Sequence, residues 1–303
     1  MFLACYLFFL CALCASAVVF VLPLQFTPSA TDARLLNMRY TASGCPVCQT
    51  MPKGDGMHME SQGKPSHTAD SAANDTHALG FYTSLLTVVL TVVTFAIALL
   101  TPPLSGPFCA DSCFEYPYLD IASRFPRDYL WMYPAMGLTL VYVVLMACIH
   151  SYASEGKKIW GQIGLSIALI SATMLIADYF IQVSVIQPSL ENGETDGLAL
   201  LTQYNPHGIF IALEDVGYLV MSVSFLCAAP VFSRSDRVER AIRWIFILSF
   251  LLALLALIVI SVQYGIEREY RFEVAVISIN WLVLIVTGVL LSMVFRRAMR
   301  TAS

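Results

Sequence analysis

A chain of 303 residues that is 58% hydrophobic and 13% charged, with a mean hydropathy of +0.71, is too apolar for water to be its main solvent. Its formal net charge of -4 leaves no basic field to draw in a polyanion, which excludes nucleic-acid binding. The nine cysteines lie mostly in or beside apolar runs, unlike the framework of a secreted disulfide scaffold.

The first apolar run, Phe2 to Leu24, is long enough to cross a bilayer, and the small residues Ala15, Ser16 and Ala17 near its end would also suit a cleaved leader. No Lys or Arg precedes the run, whereas Arg34 and Arg39 follow it, the reverse of a leader's basic start. Residues 1–24 are therefore expected to be a retained transmembrane helix, with a signal-like segment as the alternative. Over 25–78 the composition turns to Gly, Ser, Thr, Asp, Lys and His with few large apolar residues, and a mostly disordered tether is expected.

A helix needs roughly 20 apolar residues to cross about 30 Å of hydrocarbon. Six stretches meet that requirement: Leu79 to Leu100, Tyr129 to Ile149, Ile163 to Gln187, His207 to Phe232, Ile245 to Gln263 and Val274 to Phe295. The fold class expected is all-α, a polytopic transmembrane helix bundle with a six-helix core over 79–297, the extra amino-terminal span, and a tail at 298–303. Lys157 and Lys158, then Arg234, Arg237, Arg240 and Arg243, then Arg296, Arg297 and Arg300 fall in alternate connections, which places those connections and the carboxyl terminus on the cytoplasmic side of a cell membrane. Tyr129, Trp131 and Tyr133 are expected at one headgroup border, and Trp160 and Trp244 at the other. Asn205 and Pro206 supply helix-start chemistry for a span beginning at His207.

Ionisable groups deep in a bilayer cost roughly 2.5–3.5 kcal/mol each on insertion scales, so each asks for a partner or a purpose. Asp178 lies about nine residues from the outer end of its span, roughly 13 Å deep, and Glu214 and Asp215 lie about seven and eight residues into theirs. Gln182 follows Asp178 by one turn, Tyr218 follows Glu214 by one turn, and Asn280 enters at similar depth. These six residues form a candidate binding cluster facing outward, for a small solute, a cation or a proton. The alternative is structural, with protonated carboxyls hydrogen-bonded between helices.

Cys109 and Cys113 are close enough in an outer connection to close as a disulfide, which is favoured over a metal pair. Cys45 and Cys48 stand in a C-x-x-C turn that is half of a tetrahedral site; with His58, flanked by Met57 and Met59, they could hold Cu(I) or Zn, and otherwise they are reactive thiols in a flexible tail. No other cofactor is expected: His150 and His207 sit at opposite ends of their spans, about 30 Å apart, which rules against haem between them. No G-x-S-x-G, H-E-x-x-H or P-loop occurs, so a non-enzymatic role is favoured.

The stretch Ser105 to Tyr133, with Cys109, Cys113, Phe114-Glu115-Tyr116-Pro117 and Arg124-Phe125-Pro126-Arg127-Asp128, resembles uncharacterised prokaryotic polytopic membrane proteins, as does Gln203-Tyr204-Asn205-Pro206-His207-Gly208 with Glu214-Asp215. The resemblance spans about Leu79 to Arg297 and implies a six-helix core with an amino-terminal appendage; it implies no chemistry. The residues themselves favour a transporter or channel-like component, with a non-catalytic scaffold or sensor and an intramembrane enzyme acting on lipid or quinone as alternatives.

Overall fold

The structure, a computed structural model, describes residues 67–101 and 103–302. The expected spanning helix over 1–24, the tether before residue 67, and the Cys45, Cys48 and His58 candidates lie outside the described residues. Six long helices make an all-α bundle: α1 (His67–Leu100), α2 (Met132–Tyr152), α3 (Lys158–Ile181), α4 (Ile209–Ala228), α5 (Arg237–Tyr264) and α6 (Glu269–Ala302). All six are long and apolar enough to cross a membrane, and the chain is a multi-pass membrane protein. Leu248, Leu251, Leu252 and Leu255 of α5 are each about half exposed, as side chains facing lipid would be.

Burial orders the helices. Within its apolar window α4 is 67% buried and α5 22%, so α4 occupies the middle of the bundle, in contact with α3, α5 and α6, while α2 packs on α3. Small residues set the closest approaches, since the hydrophobic effect does not drive helices together in lipid. A Cβ on Gly164 of α3 would meet the Ala228 Cβ and the Ser224 carbonyl of α4 at 3.1 Å, and one on Gly217 of α4 would meet Leu175 of α3 at 2.7 Å. Ser171 adds an interhelical bond, its hydroxyl donating to the Gly217 carbonyl at 2.8 Å.

α1 leans on α6 by the same device. A Cβ on Gly288 would fall 2.6 Å from Val88 and 3.1 Å from the Ser84 carbonyl, and one on Gly80 would strike the Phe295 ring at 2.8 Å. Ser84, Thr87, Thr91 and Thr94 are fully buried along α1. Each hydroxyl donates to the carbonyl four residues back, at 2.6–2.9 Å, so this polar stripe is satisfied within its own helix.

Several boundaries differ from the apolar pattern. α1 starts at His67 rather than Leu79, and His77 is held by tertiary packing against Tyr152 and Phe295, with ring centroids 6.2 and 6.5 Å away. α4 starts at Ile209, because Asn205 spends its Oδ1 on the His207 amide at 3.0 Å and turns the chain before the helix begins. The third span runs through a π-turn, Gln182–Ile186, into a short helix, Gln187–Glu191. Pro188 has no amide to give the Ser184 carbonyl, and a widened turn absorbs the loss. The segment ahead of α4 forms the four-residue helix Leu198–Leu201, docked by the buried Leu198.

The connections gather at two ends. At one, Tyr204 meets Phe114 and Phe108 meets Tyr270, with ring centroids 5.2 and 5.8 Å apart, and Cys109 and Cys113 are joined in a disulfide with Cα atoms 5.9 Å apart. At the other, Lys157 donates to the Val231 carbonyl at 3.0 Å and Arg297 reaches Asp236 at 3.4 Å. The alternation read from the basic residues is thus a spatial one, between a disulfide end and a basic end.

Candidate functional site

Three helices bring carboxyl groups together below the disulfide end. Asp178 comes from α3, Glu214 and Asp215 from α4, and Glu273 from α6; their exposures are 2, 0, 9 and 8%. Glu214 and Glu273 lie within hydrogen-bonding reach of one another, and Asp178 is near enough to feel the Glu214 charge. A chain of rings closes the group from below. Tyr179 donates to Glu214 Oε1 at 2.6 Å, the Tyr179 and Tyr218 hydroxyls are 2.8 Å apart, and Trp281 Nε1 donates to the Tyr218 hydroxyl at 3.1 Å. Helical spacing explains the assembly: Glu214 and Tyr218 are one turn apart on α4, and Glu273 and Asn280 two turns apart on α6.

The remaining oxygens are short of donors. Among the described residues, Asp178 Oδ2, Glu214 Oε2 and Glu273 Oε2 are buried and accept no hydrogen bond. Every Lys and Arg of the described residues lies in a connection or within two turns of a helix end. The bases nearest in sequence to Glu273 are engaged elsewhere, Arg271 over the Tyr264 ring at 4.1 Å and Arg268 on the Ser261 hydroxyl at 3.3 Å. Two adjoining buried carboxyls with no counter-charge persist by being protonated, by sharing one proton or by taking a cation.

Glu273 also faces space. A cavity of about 340 Å³ lies between the outer turns of α1 and α6, the start of the second span and the two long connections, with Glu273 in its lining. That volume is at the small end of ordinary ligand sites, about 300–1,000 Å³. Phe95, Phe108, Trp131, Phe210, Tyr270 and Trp281 supply aromatic walls. The rim residues Leu99 and Val274 are 73 and 44% exposed.

A second acid lines the cavity, under different terms. Asp128, 2% exposed, takes Arg127 Nε at 2.6 Å and the Tyr204 hydroxyl at 3.0 Å on its two oxygens. Burial pushes the Tyr204 phenol up, with Tyr129 and Asp128 adding to the effect, so it remains a proton donor to that carboxylate.

Of the six residues expected to form a binding cluster, Glu214 and Tyr218 are joined through the Tyr179 hydroxyl, and Asp178 and Asp215 are buried close enough for their charges to act on Glu214 or Glu273. Asn280 sits beneath them as a clamp: its Nδ2 donates to the Tyr218 carbonyl at 3.1 Å, and its Oδ1 accepts from Ser222 at 3.1 Å. Gln182 is turned away from the carboxyls, its Nε2 donating to the Leu201 carbonyl at 2.5 Å and its Oε1 accepting from the Gln203 amide at 3.0 Å, so it ties a connection to α3. Trp131 and Tyr129, expected at the headgroup border, are buried, while Tyr133 is 47% exposed. The residue that the sequence reading omitted is Glu273, which falls one position before the apolar run that begins at Val274. No three His, Cys, Asp or Glu side chains of the described residues are arranged to hold a metal ion. No family model, curated protein or solved structure matches the chain.

Proposed function

We propose that this chain is a transporter or channel-like component whose cavity opens outward and whose carboxyl group relay carries a proton or a small cation. The observation that carries the reading is the position of Glu273, which faces the cavity on one side and adjoins Glu214 on the other. A solute entering the cavity therefore meets an acid coupled to Glu214 and, through it, to Tyr179 on α3. Two features support an outward-facing disulfide end: nine of the thirteen Lys and Arg of the described residues lie at the opposite end, where cytoplasmic retention would hold them, and a disulfide persists in an oxidising compartment.

The test is flux in proteoliposomes carrying an entrapped pH-sensitive dye, driven in turn by proton, Na⁺ and K⁺ gradients. Wild-type vesicles should exceed protein-free ones for one of the three ions, and Glu214→Gln and Glu273→Gln should return that flux to the protein-free level while the protein stays folded. Undiminished flux in both variants would discard the reading. A scaffold or sensor is the second reading, favoured by the clamp that Asn280 and Ser222 form between α4 and α6; it predicts no flux in any vesicle and altered thermal stability in the variants.

A further inference from the structure

We infer that the cavity at the disulfide end is a binding site for an amphiphilic organic cation, a molecule with a flat apolar body and a single fixed positive charge, held by Glu273 from below and by aromatic faces around it. The inference rests on the cavity described above and names its ligand class.

The charge argument starts from the two acids in the lining. Asp128 is already matched by Arg127 and Tyr204, whereas Glu273 is more than nine-tenths buried, has an oxygen without a donor among the described residues, and adjoins another carboxyl rather than a base. With an acid and no base facing the cavity, a group with a fixed positive charge can take the place of a proton there, whereas a negative one finds no partner. An anionic or zwitterionic ligand would need a base, and the two next in sequence to lining residues are engaged, Arg127 with Asp128 and Arg271 over the Tyr264 ring.

The wall argument decides the rest of the molecule. Rings attract a cation through their faces, most strongly where water is excluded, and Trp is the best of them. Trp131 and Trp281 both line the cavity, their ring centroids 6.3 Å apart, and Phe95 stands edge-on to Trp281 at 5.4 Å. A bare alkali ion would leave these aromatic surfaces unused. A flat aromatic or alkyl body fills the walls while its charged head reaches Glu273. The rim at Leu99 and Val274 is apolar and exposed at the outer edge of two spanning helices, so such a molecule can enter from the membrane border.

The test uses the full chain in nanodiscs and an N-methyl phenylpyridinium salt as probe, with methylbiphenyl as its uncharged counterpart of the same outline. Titration calorimetry and intrinsic tryptophan fluorescence should both report saturable binding of the pyridinium and none of the biphenyl. Glu273→Gln should weaken the pyridinium by about thirtyfold or more, the effect of removing one member of a desolvated charge pair. Ala98→Phe, which fills the cavity and leaves every carboxyl in place, should abolish binding and keeps the inference testable if the glutamate variant fails to fold. Equal binding of the charged and uncharged probes, or unchanged affinity in Ala98→Phe, would overturn it. Pyridinium binding without ion flux would leave this inference standing and remove the transport reading. Proton or alkali-cation flux without pyridinium binding would do the reverse.

Discussion

The seam between α1 and α6 is closed along one half and open along the other. Toward the basic end, Gly80 and Gly288 let the two backbones approach until a single added carbon would strike Phe295 or Val88, and the buried hydroxyls between them are all satisfied by their own helix. Toward the disulfide end the same helices part around about 340 Å³ of space, and the polar group they leave there is an acid without a donor. Polarity does not distinguish the two halves, because both are polar. Satisfaction does: serines and threonines that bond backward ask nothing of a ligand, whereas Glu273 does.

The largest expected effect is a break in the closed half. Gly288→Leu places a side chain where Val88 and the Ser84 carbonyl already stand, and should cost about 3 kcal/mol, near the upper end of overpacking penalties. Gly288→Ala should cost less. The measure is unfolding in detergent, and a Leu variant as stable as wild type would mean that α1 does not bear on α6 as described. Within the open half the two acids should respond with opposite signs. Asp128→Ala leaves the buried Tyr204 hydroxyl without its acceptor and should lose about 1–3 kcal/mol. Glu273→Gln removes an acid that no protein base compensates, and its stability should match or exceed wild type. Equal losses in both would show Glu273 to be as well partnered as Asp128, and the contrast between them would fall.

The spanning pattern is close to legible in the residues, since long apolar runs and alternating basic connections depend only on local composition and the membrane's thickness. Asp178, Glu214 and Asp215 are equally legible, being acids within apolar runs. Glu273 is not, because it stands in the charged sequence Glu267-Arg268-Glu269-Tyr270-Arg271-Phe272-Glu273 and reads as a connection. What recruits it is the helix α6, which begins at Glu269 and carries Glu273 two turns above Asn280 on the buried face. The seven-residue spacing between those two was the available signal. Gln182 misleads in the opposite direction: it is one turn from Asp178, yet the π-turn that starts with it lets the amide reach the backbone at Leu201 and Gln203. Spacing predicts a shared face only while the helix keeps its pitch.

The smallest effect tests how the closed half is anchored at its basic end. Asp236 caps α5, accepting from the Val238 and Glu239 amides at 2.9 and 3.0 Å, and also meets Arg297 of α6 at 3.4 Å. The Glu239 amide is the first cause of a carboxyl held below its ordinary value, with Arg297 a lesser one. A group with a lowered folded pKa contributes stability that is fully present above its unfolded value, about 3.9, and is lost as pH falls through the folded value. Asp236→Ala should therefore cost about 1 kcal/mol at neutral pH, as lost caps do, and the gap between variant and wild type should close below pH about 4. With 42% of the side chain exposed, the Arg297 contact adds little of this, so Arg297→Gln should reproduce only a small part of the loss. A deficit in Asp236→Ala that stayed constant through the acid range would mean that the carboxylate's charge plays no part in holding the start of α5, and that the basic end is fixed by packing alone.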